Sequence, residues 1–454
     1  MMKLLEPQKP HVERVLCSLF LNGVAVDLSE TGCGKTYMAT AVAKRMNLPV
    51  VVICPKAVIP AWIRVMKEGG IAPKVIMNYE KIARGNTPYL TYDRKRFFNK
   101  KNWESHGIKL HFPKNALIIL DEGHKCKGSH SLNGNFMIAC KNAGYRLLIM
   151  SATAATNPLE MKAFGYATNL HNGANFSKWC TTVGAEVGGR FGGLSIDLKS
   201  EKARAGMKAV HVNLFDMQCV AARLTRDDMK ALFPDNRVIA DCFDMGANTA
   251  KIQAVYDLME AEIARLDERS QNYKAHVFAE IMKARRMAEL LKVPTMVEMI
   301  EDLYEEGISP VVFVNFQDTM DALVKRLSKY KDEIGLIVGG QSAKQRQLHI
   351  DEFQVNKRRI MLVNLAAGNA GISLHDLTGE FPRHSIISPS YSAINLVQAL
   401  GRCHRAEGKT PVLQKIVFAA GTIEERVCAR IKAKLENIDL LNDGDLGFSA
   451  TINF

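Results

Sequence analysis

Val24-Ala25-Val26-Asp27-Leu28-Ser29-Glu30-Thr31-Gly32-Cys33-Gly34-Lys35-Thr36 decides how the rest of the chain is read. A short apolar strand runs into a small loop that closes on Gly34-Lys35-Thr36. An amphipathic helix follows, with Met38, Val42 and Met46 on one stripe. Strand, glycine loop, Lys-Thr and helix stand in the order a phosphate-binding loop requires. Glycines let backbone N–H groups turn inward around phosphate oxygens, and the helix N-terminus adds its positive dipole end. In this reading Ser29, Glu30, Thr31, Gly32, Cys33 and Gly34 wrap the phosphates of ATP. Lys35 reaches the β- and γ-phosphates, and Thr36 places its hydroxyl on Mg²⁺. Ser29 stands where the G-x-x-x-x-G-K-[ST] pattern has its first glycine.

Two further strand ends carry matching chemistry. Ala116–Leu120 runs into Asp121-Glu122-Gly123-His124. Acids at the carboxyl end of a parallel strand sit beside a phosphate loop. Asp121 would hold Mg²⁺ and Glu122 would orient the attacking water. Arg146–Met150 runs into Ser151-Ala152-Thr153, whose hydroxyls, with His124, are candidates for coupling the nucleotide site to the rest of the molecule. Far downstream, Gln398-Ala399-Leu400-Gly401-Arg402-Cys403-His404-Arg405 reads as a helix with two guanidiniums on nearly one face and Gln398 a turn earlier. Arg402 and Arg405 are suited to meet charge developing on a γ-phosphate.

The chain has 454 residues, too many for a single core. At 47% hydrophobic and 24% charged it has an ordinary globular composition. No run approaches the ~18 apolar residues of a membrane span, and the start lacks a signal-peptide apolar region. A cytoplasmic protein without a membrane partner is expected. The ten cysteines are scattered with no Cys-x-x-Cys pair, which argues against a zinc ribbon and for reduced thiols. The net charge of +13 favours a polyanionic partner, above all nucleic acid.

Strand-like and helix-like segments alternate over residues 1–160, through Val24–Leu28, Pro49–Cys54, Ala116–Leu120 and Arg146–Met150. The same grammar returns over 306–420, with Val311–Asn315, Gly335–Val338, Ile360–Asn364, His384–Ser388 and Val412–Phe418. Between them, 248–304 is helical by period, with Ile252, Tyr256, Met259 and Ile263 on one face; Pro294 should break or start a helix there. Two parallel α/β lobes in tandem with a helical insert are implied. The expected domains are 1–237, with a basic insertion near 84–103, and 238–454, with the insert at 248–304.

These motifs together resemble those of superfamily 2 helicases, and within them the Swi/Snf-type double-stranded DNA translocases. Further segments resemble that branch: Cys54-Pro55-Lys56-Ala57-Val58-Ile59-Pro60-Ala61-Trp62, Ala367-Gly368-Asn369-Ala370-Gly371-Ile372-Ser373-Leu374, Gly421-Thr422-Ile423-Glu424-Glu425-Arg426 and Arg223-Leu224-Thr225-Arg226-Asp227-Asp228. The ending and the basic region around Lys178–Lys208 look most like compact annealing-helicase or fork-remodelling members, phage and bacterial ones included. The chain departs from the branch at Ser151-Ala152-Thr153, at Ser29-Glu30-Thr31-Gly32 and at Tyr391-Ser392-Ala393.

The resemblance implies two RecA-like lobes closing on ATP and Mg²⁺. It assigns Gln8 to adenine reading and Gly371 to the nucleotide. Loops on the face opposite the nucleotide can grip phosphates alternately, and Lys56, Tyr79, Asn315, Gln341, Arg346 and Gly368 are candidate grips. The run Arg94-Lys95-Arg96-Phe97-Phe98-Asn99-Lys100-Lys101-Asn102-Trp103 reads equally as a DNA-contacting insertion or a solvated loop. The expected activity is ATP hydrolysis driving a monomer along duplex or branched DNA, in the nucleoid or in a host cytoplasm if phage-encoded. Its rivals are a strand-separating DNA or RNA helicase and an ATP-gated nucleic-acid clamp with little turnover.

Overall fold

The computed structural model describes residues 2–85, 87–92, 107–127, 131–152, 155, 157–188, 193–197, 200–267, 270, 272–368, 372–390, 392–425, 427–429, 431 and 452–453. The chain divides into two compact units at Lys230/Ala231, with the described residues 452–453 belonging to the second. Arg237, the end of the first domain as read from sequence, lies inside a strand of the second unit.

In the first unit the strands are β1 (Val24–Asp27), β2 (Val50–Cys54), β3 (Val75–Asn78), β6 (Leu117–Asp121), β7 (Arg146–Met150) and β10 (Ala221–Ala222); the antiparallel pairs β4–β5 (Leu90–Tyr92, Ile108–Leu110) and β8–β9 (Glu186–Val187, Leu194–Ser195) stand apart. They form a six-stranded parallel sheet in the order β10-β1-β7-β6-β2-β3. β1 and β2 are buried along their whole length, as strands covered on both faces must be. Four helices matter for the site: α1 (Gln8–Asn22), α2 (Lys35–Met46), α3 (Ile59–Glu68) and α4 (Tyr79–Arg84).

Register decides which residues emerge together. β1, β7 and β6 are adjacent, and Met150 pairs with both Asp27 and Asp121. The three turns that follow, carrying the glycine loop, Ser151 and Glu122, therefore leave the sheet at one level of its carboxyl edge.

The second unit is a seven-stranded parallel sheet, β13-β14-β12-β15-β16-β11-β17. Its strands are β11 (Asn236–Phe243), β12 (Ser309–Val314), β13 (Ile334–Ile337), β14 (Ile360–Asn364), β15 (Arg383–Ile387), β16 (Val412–Ala419) and β17 (Ile452–Asn453). Three helices fill the stretch between β11 and β12: α5 (Asn248–Arg265), α6 (Tyr273–Leu291) and α7 (Val293–Glu305). Ile252 and Tyr256 are buried and Met259 packs partly against the same core, so the expected apolar face of α5 is real. Pro294 sits in the first turn of α7, where its missing N–H costs nothing.

Candidate active site

The glycine loop is folded by its own backbone. Gly32 and Gly34 have φ of +94° and +83°, a region that side chains resist. A Cβ on Gly34 would lie 2.5 Å from Gln8 Nε2. Gln8 is buried at the start of α1; its Nε2 donates to Cys33 O at 2.9 Å and its Oε1 accepts from Leu5 N at 3.0 Å. The glutamine expected from sequence is thus packed directly on the loop. Lys35 Nζ lies within it, donating to Ser29 O at 2.7 Å and Glu30 O at 2.9 Å. Burial pushes the Cys33 thiol up to about 12, so it is no thiolate.

A brace not foreseen from sequence holds the loop's first half. Ser29 is buried; its N–H donates to Asp27 Oδ1 at 2.9 Å and its hydroxyl accepts from Leu224 N at 3.0 Å. Glu30 pairs with Arg223 and Arg226, each at 3.1 Å, and Arg226 also donates to Thr31 Oγ1 at 3.2 Å. The side chains of Ser29, Glu30 and Thr31 therefore face protein, and what these residues offer a phosphate is backbone. Beneath, His11 Nε2 lies 3.3 Å from Asp27, both buried.

At the end of β6, burial and then the neighbouring Glu122 charge raise Asp121 well above the usual carboxylate range, while Trp62 and Lys35 oppose them. Asp121 Oδ2 accepts from Trp62 Nε1 at 2.8 Å. Glu122 has φ of +56°, uncommon for a residue with a side chain. His124 Nδ1 lies 3.2 Å from Glu122 Oε2 and 3.3 Å from Ser151 Oγ, which brings together the proposed coupling residues of two strand ends. Thr153 lies outside the described residues. Among the described residues no cluster of three or more His, Cys, Asp or Glu could cage a metal. Mg²⁺ takes few protein carboxylates and completes its shell with substrate phosphates and water. The Thr36 hydroxyl and the Asp121 carboxylate are hard oxygen donors of that kind, and a divalent ion would relieve two neighbouring half-buried carboxylates.

In the second unit Gln398 and Arg402 lie one turn apart on α8 (Ala393–Cys403), each 3% exposed. Arg405 does not share their helix face. The helix stops at Cys403, because His404 is extended and fixed, its Nε2 2.8 Å from Pro234 O and its ring against Phe233. Arg405 is instead stitched to the segment before it, Nη1 donating to Ser373 Oγ at 2.8 Å, and Leu374 N donates to Arg402 O at 2.9 Å.

The nucleic-acid candidates divide sharply. Lys56 is exposed just beyond β2, and Gly368 closes the short helix Leu365–Gly368 after β14. Tyr79 is corrected: it is buried, with its hydroxyl donating to Asp121 O at 2.7 Å. Asn315 is also corrected. Its Nδ2 donates to Glu289 at 2.6 Å and Pro389 O at 3.0 Å, which engages both amide hydrogens. Gln341 Nε2 donates to Leu336 O at 3.1 Å, and half-buried Arg346 to Val338 O at 3.4 Å, so both hold the turn after β13. Arg94, Lys95, Arg96 and Gly371 lie outside the described residues.

Two buried carboxylates of the second unit were not read as functional. Glu289 on α6 accepts from the backbone N–H groups of Asn315 and Phe316, from Asn315 Nδ2 and from Ser388 Oγ. Glu424 takes Lys292 Nζ at 2.9 Å on each oxygen, with Tyr256 Oη at 3.2 Å and Ala419 N at 2.9 Å. With Arg285 they line a cleft of about 270 Å³, measured with the solvent at its mouth.

The model of the helicase conserved C-terminal domain matches residues 291–407. A protein of Acanthamoeba polyphaga mimivirus, provisionally named an ATP-dependent RNA helicase, is 31% identical over 98% of this chain and 84% of its own length. An Arabidopsis thaliana protein, named a probable ATP-dependent DNA helicase, is 22% identical over 91% of this chain and 41% of its own length. A solved structure, the Sulfolobus solfataricus SWI2/SNF2 ATPase core in complex with dsDNA, aligns at 17% identity over 99% of this chain and 97% of that one, with a TM-score of 0.36. The chain belongs to the ATP-dependent helicases of superfamily 2. Its two parallel sheets are the tandem RecA-like lobes of that superfamily, and it is an ATP-hydrolysing enzyme. None of its described helices is long and apolar enough to cross a membrane.

Proposed function

We propose that this helicase hydrolyses ATP to move along duplex or branched DNA, with annealing, branch migration or remodelling as the outcome. The observation that carries the reading is the segment Cys54–Trp62, which resembles the duplex-DNA branch of the superfamily. It presents the exposed cation of Lys56 at one end and, at the other, an indole bonded to Asp121. A surface suited to phosphate is thus continuous, through one short helix, with the acid of the ATP site. The net charge of +13 supports a polyanionic track.

In this reading Lys35 grips the β- and γ-phosphates, Thr36 and Asp121 hold Mg²⁺, and Gln8 reads the adenine. Mg²⁺, when bound, would neutralise charge between the terminal phosphates. Glu122 takes the proton of the attacking water, and His124 and Ser151 report its position to the neighbouring strand. Arg402 and Arg405 meet the charge that develops on the transferred phosphoryl group, with Gln398 beside them. The chain passes from the first lobe to the second at Lys230/Ala231, not near residue 237, and α5–α7 form the insert of the second.

A second reading, RNA as the track, is favoured by the name of the mimivirus relative. ATPase stimulation measured side by side with duplex DNA, branched DNA, single-stranded DNA and RNA separates the two. Greater stimulation by duplex or branched DNA is expected; stimulation by RNA alone would replace DNA with RNA.

A further inference from the structure

Trp62 is fully buried on α3, whose Val65 and Met66 are buried with it, so the ring cannot swing without opening a void. A buried indole N–H needs an acceptor. Here the acceptor is a carboxylate 59 residues further along the chain, Asp121 Oδ2 at 2.8 Å. A second neutral donor reaches the same residue from another helix: Tyr79, the first residue of α4, donates its hydroxyl to Asp121 O at 2.7 Å. Side chain and backbone of one acid are thus pinned from two separate rigid elements.

The chemistry of the pair is specific. An N–H donor at Oδ2 fixes the carboxylate by a directional bond and favours the charged form that a metal ligand takes. A cation in place of Trp62 would also stabilise the charge, but it would compete with the metal for the carboxylate. An indole supplies the bond with no charge of its own.

We propose that Trp62 and Tyr79 are positioning residues that hold Asp121 in the orientation in which it takes up the metal of the metal–nucleotide complex. This rests on Asp121 being a Mg²⁺ ligand, as proposed above. Partners that orient a metal ligand are worth about 10–100-fold in metal affinity. Their effect falls on the metal-dependent part of nucleotide binding and spares the part the glycine loop supplies.

The experiment uses the full chain and a fluorescent, non-hydrolysable ATP analogue, titrated in EDTA and across a Mg²⁺ series. Trp62→Phe keeps an aromatic ring and removes the N–H; Tyr79→Phe removes only the hydroxyl. The Mg²⁺ concentration for half-maximal binding should rise about 10–100-fold in Trp62→Phe and in the same direction in Tyr79→Phe, with affinity in EDTA unchanged. An equal loss of affinity in EDTA and in Mg²⁺ would make the two residues merely structural and overturn the proposal, as would an unmoved Mg²⁺ midpoint. Should Trp62→Phe fail to fold, an unmoved midpoint in folded Tyr79→Phe overturns it alone. If wild-type binding ignores Mg²⁺ altogether, the metal role of Asp121 itself fails, a result distinct from a wild-type Mg²⁺ response that both variants retain.

Discussion

Replacing Glu289 with alanine should unfold the second lobe early, and the cost can be worked from its bonds. The carboxylate is 3% exposed and serves four donors: the N–H groups of Asn315 and Phe316, Asn315 Nδ2 and Ser388 Oγ. Asn315 Nδ2 keeps Pro389 O, and a hydroxyl can rotate, so two backbone N–H groups bear most of the loss. Each buried donor left unsatisfied costs about 1–3 kcal/mol. Relief of the buried charge and water entering the cleft offset part of that sum, which leaves about 3 kcal/mol. For a unit of this size that lowers Tm by about 6–12 °C. Calorimetry of the full chain should show one transition moved down by that amount and the transition of the first lobe in place. A thermogram superimposable on wild type would refute the claim that Glu289 anchors the turn after β12.

Five further outcomes are expected. Lys35→Ala should abolish ATP turnover, measured as phosphate release, because the loop loses the cation proposed to meet the phosphates. Glu122→Gln keeps the shape but removes the proposed base, so analogue binding should persist while hydrolysis falls about 10²–10⁴-fold in single-turnover assays. Arg405→Ala should lose nucleic-acid-stimulated turnover by about 10³-fold or more with nucleotide affinity retained. Arg405→Lys should recover little, because an ammonium lacks the forked geometry. Gly34→Ala forces a side chain to φ +83° and against Gln8, at about 1–2 kcal/mol for the backbone alone, so Tm and ATP affinity should both fall.

Most of the longer strands covered on both faces were legible. β2, β7 and β14 read as unbroken apolar runs, and their bounds in the sequence and in the fold agree within a residue. β3 escaped because half of it is only partly buried, and β11 because Asn236, Arg237 and Asp241 interrupt its apolar residues. Lys35, Asp121 and Glu122 were legible because a loop or strand end fixes their place by local geometry. Tyr79, Asn315 and Gln341 have protein partners that the motifs do not announce, for one reason: a motif gives a residue type, but not which acceptors its donors meet in space. Trp62, Glu289 and the Arg223–Arg226 brace escaped for the same reason in reverse. Their partners lie 59, 26 and 193 residues away. The helix carrying Arg402 was read too long because nothing local announces that His404 is held by Pro234 O.

The brace on the glycine loop has a consequence for synthesis. Gln8 reaches the loop from near the start of the chain, and Arg223 and Arg226 reach it from the end of the first lobe. β10, which carries these arginines into place, is a two-residue strand beside β1. A nascent chain emerges at about 5–20 residues per second and folds from its N-terminal end. Lys35 therefore leaves the ribosome many seconds before the arginines that tie down Glu30. Until then the loop has its glycines and its lysine but not its fixed shape, and a nascent chain halted short of Arg223 should grip ATP weakly. On this order of synthesis, firm nucleotide capture is expected only once the last strand of the lobe is in place.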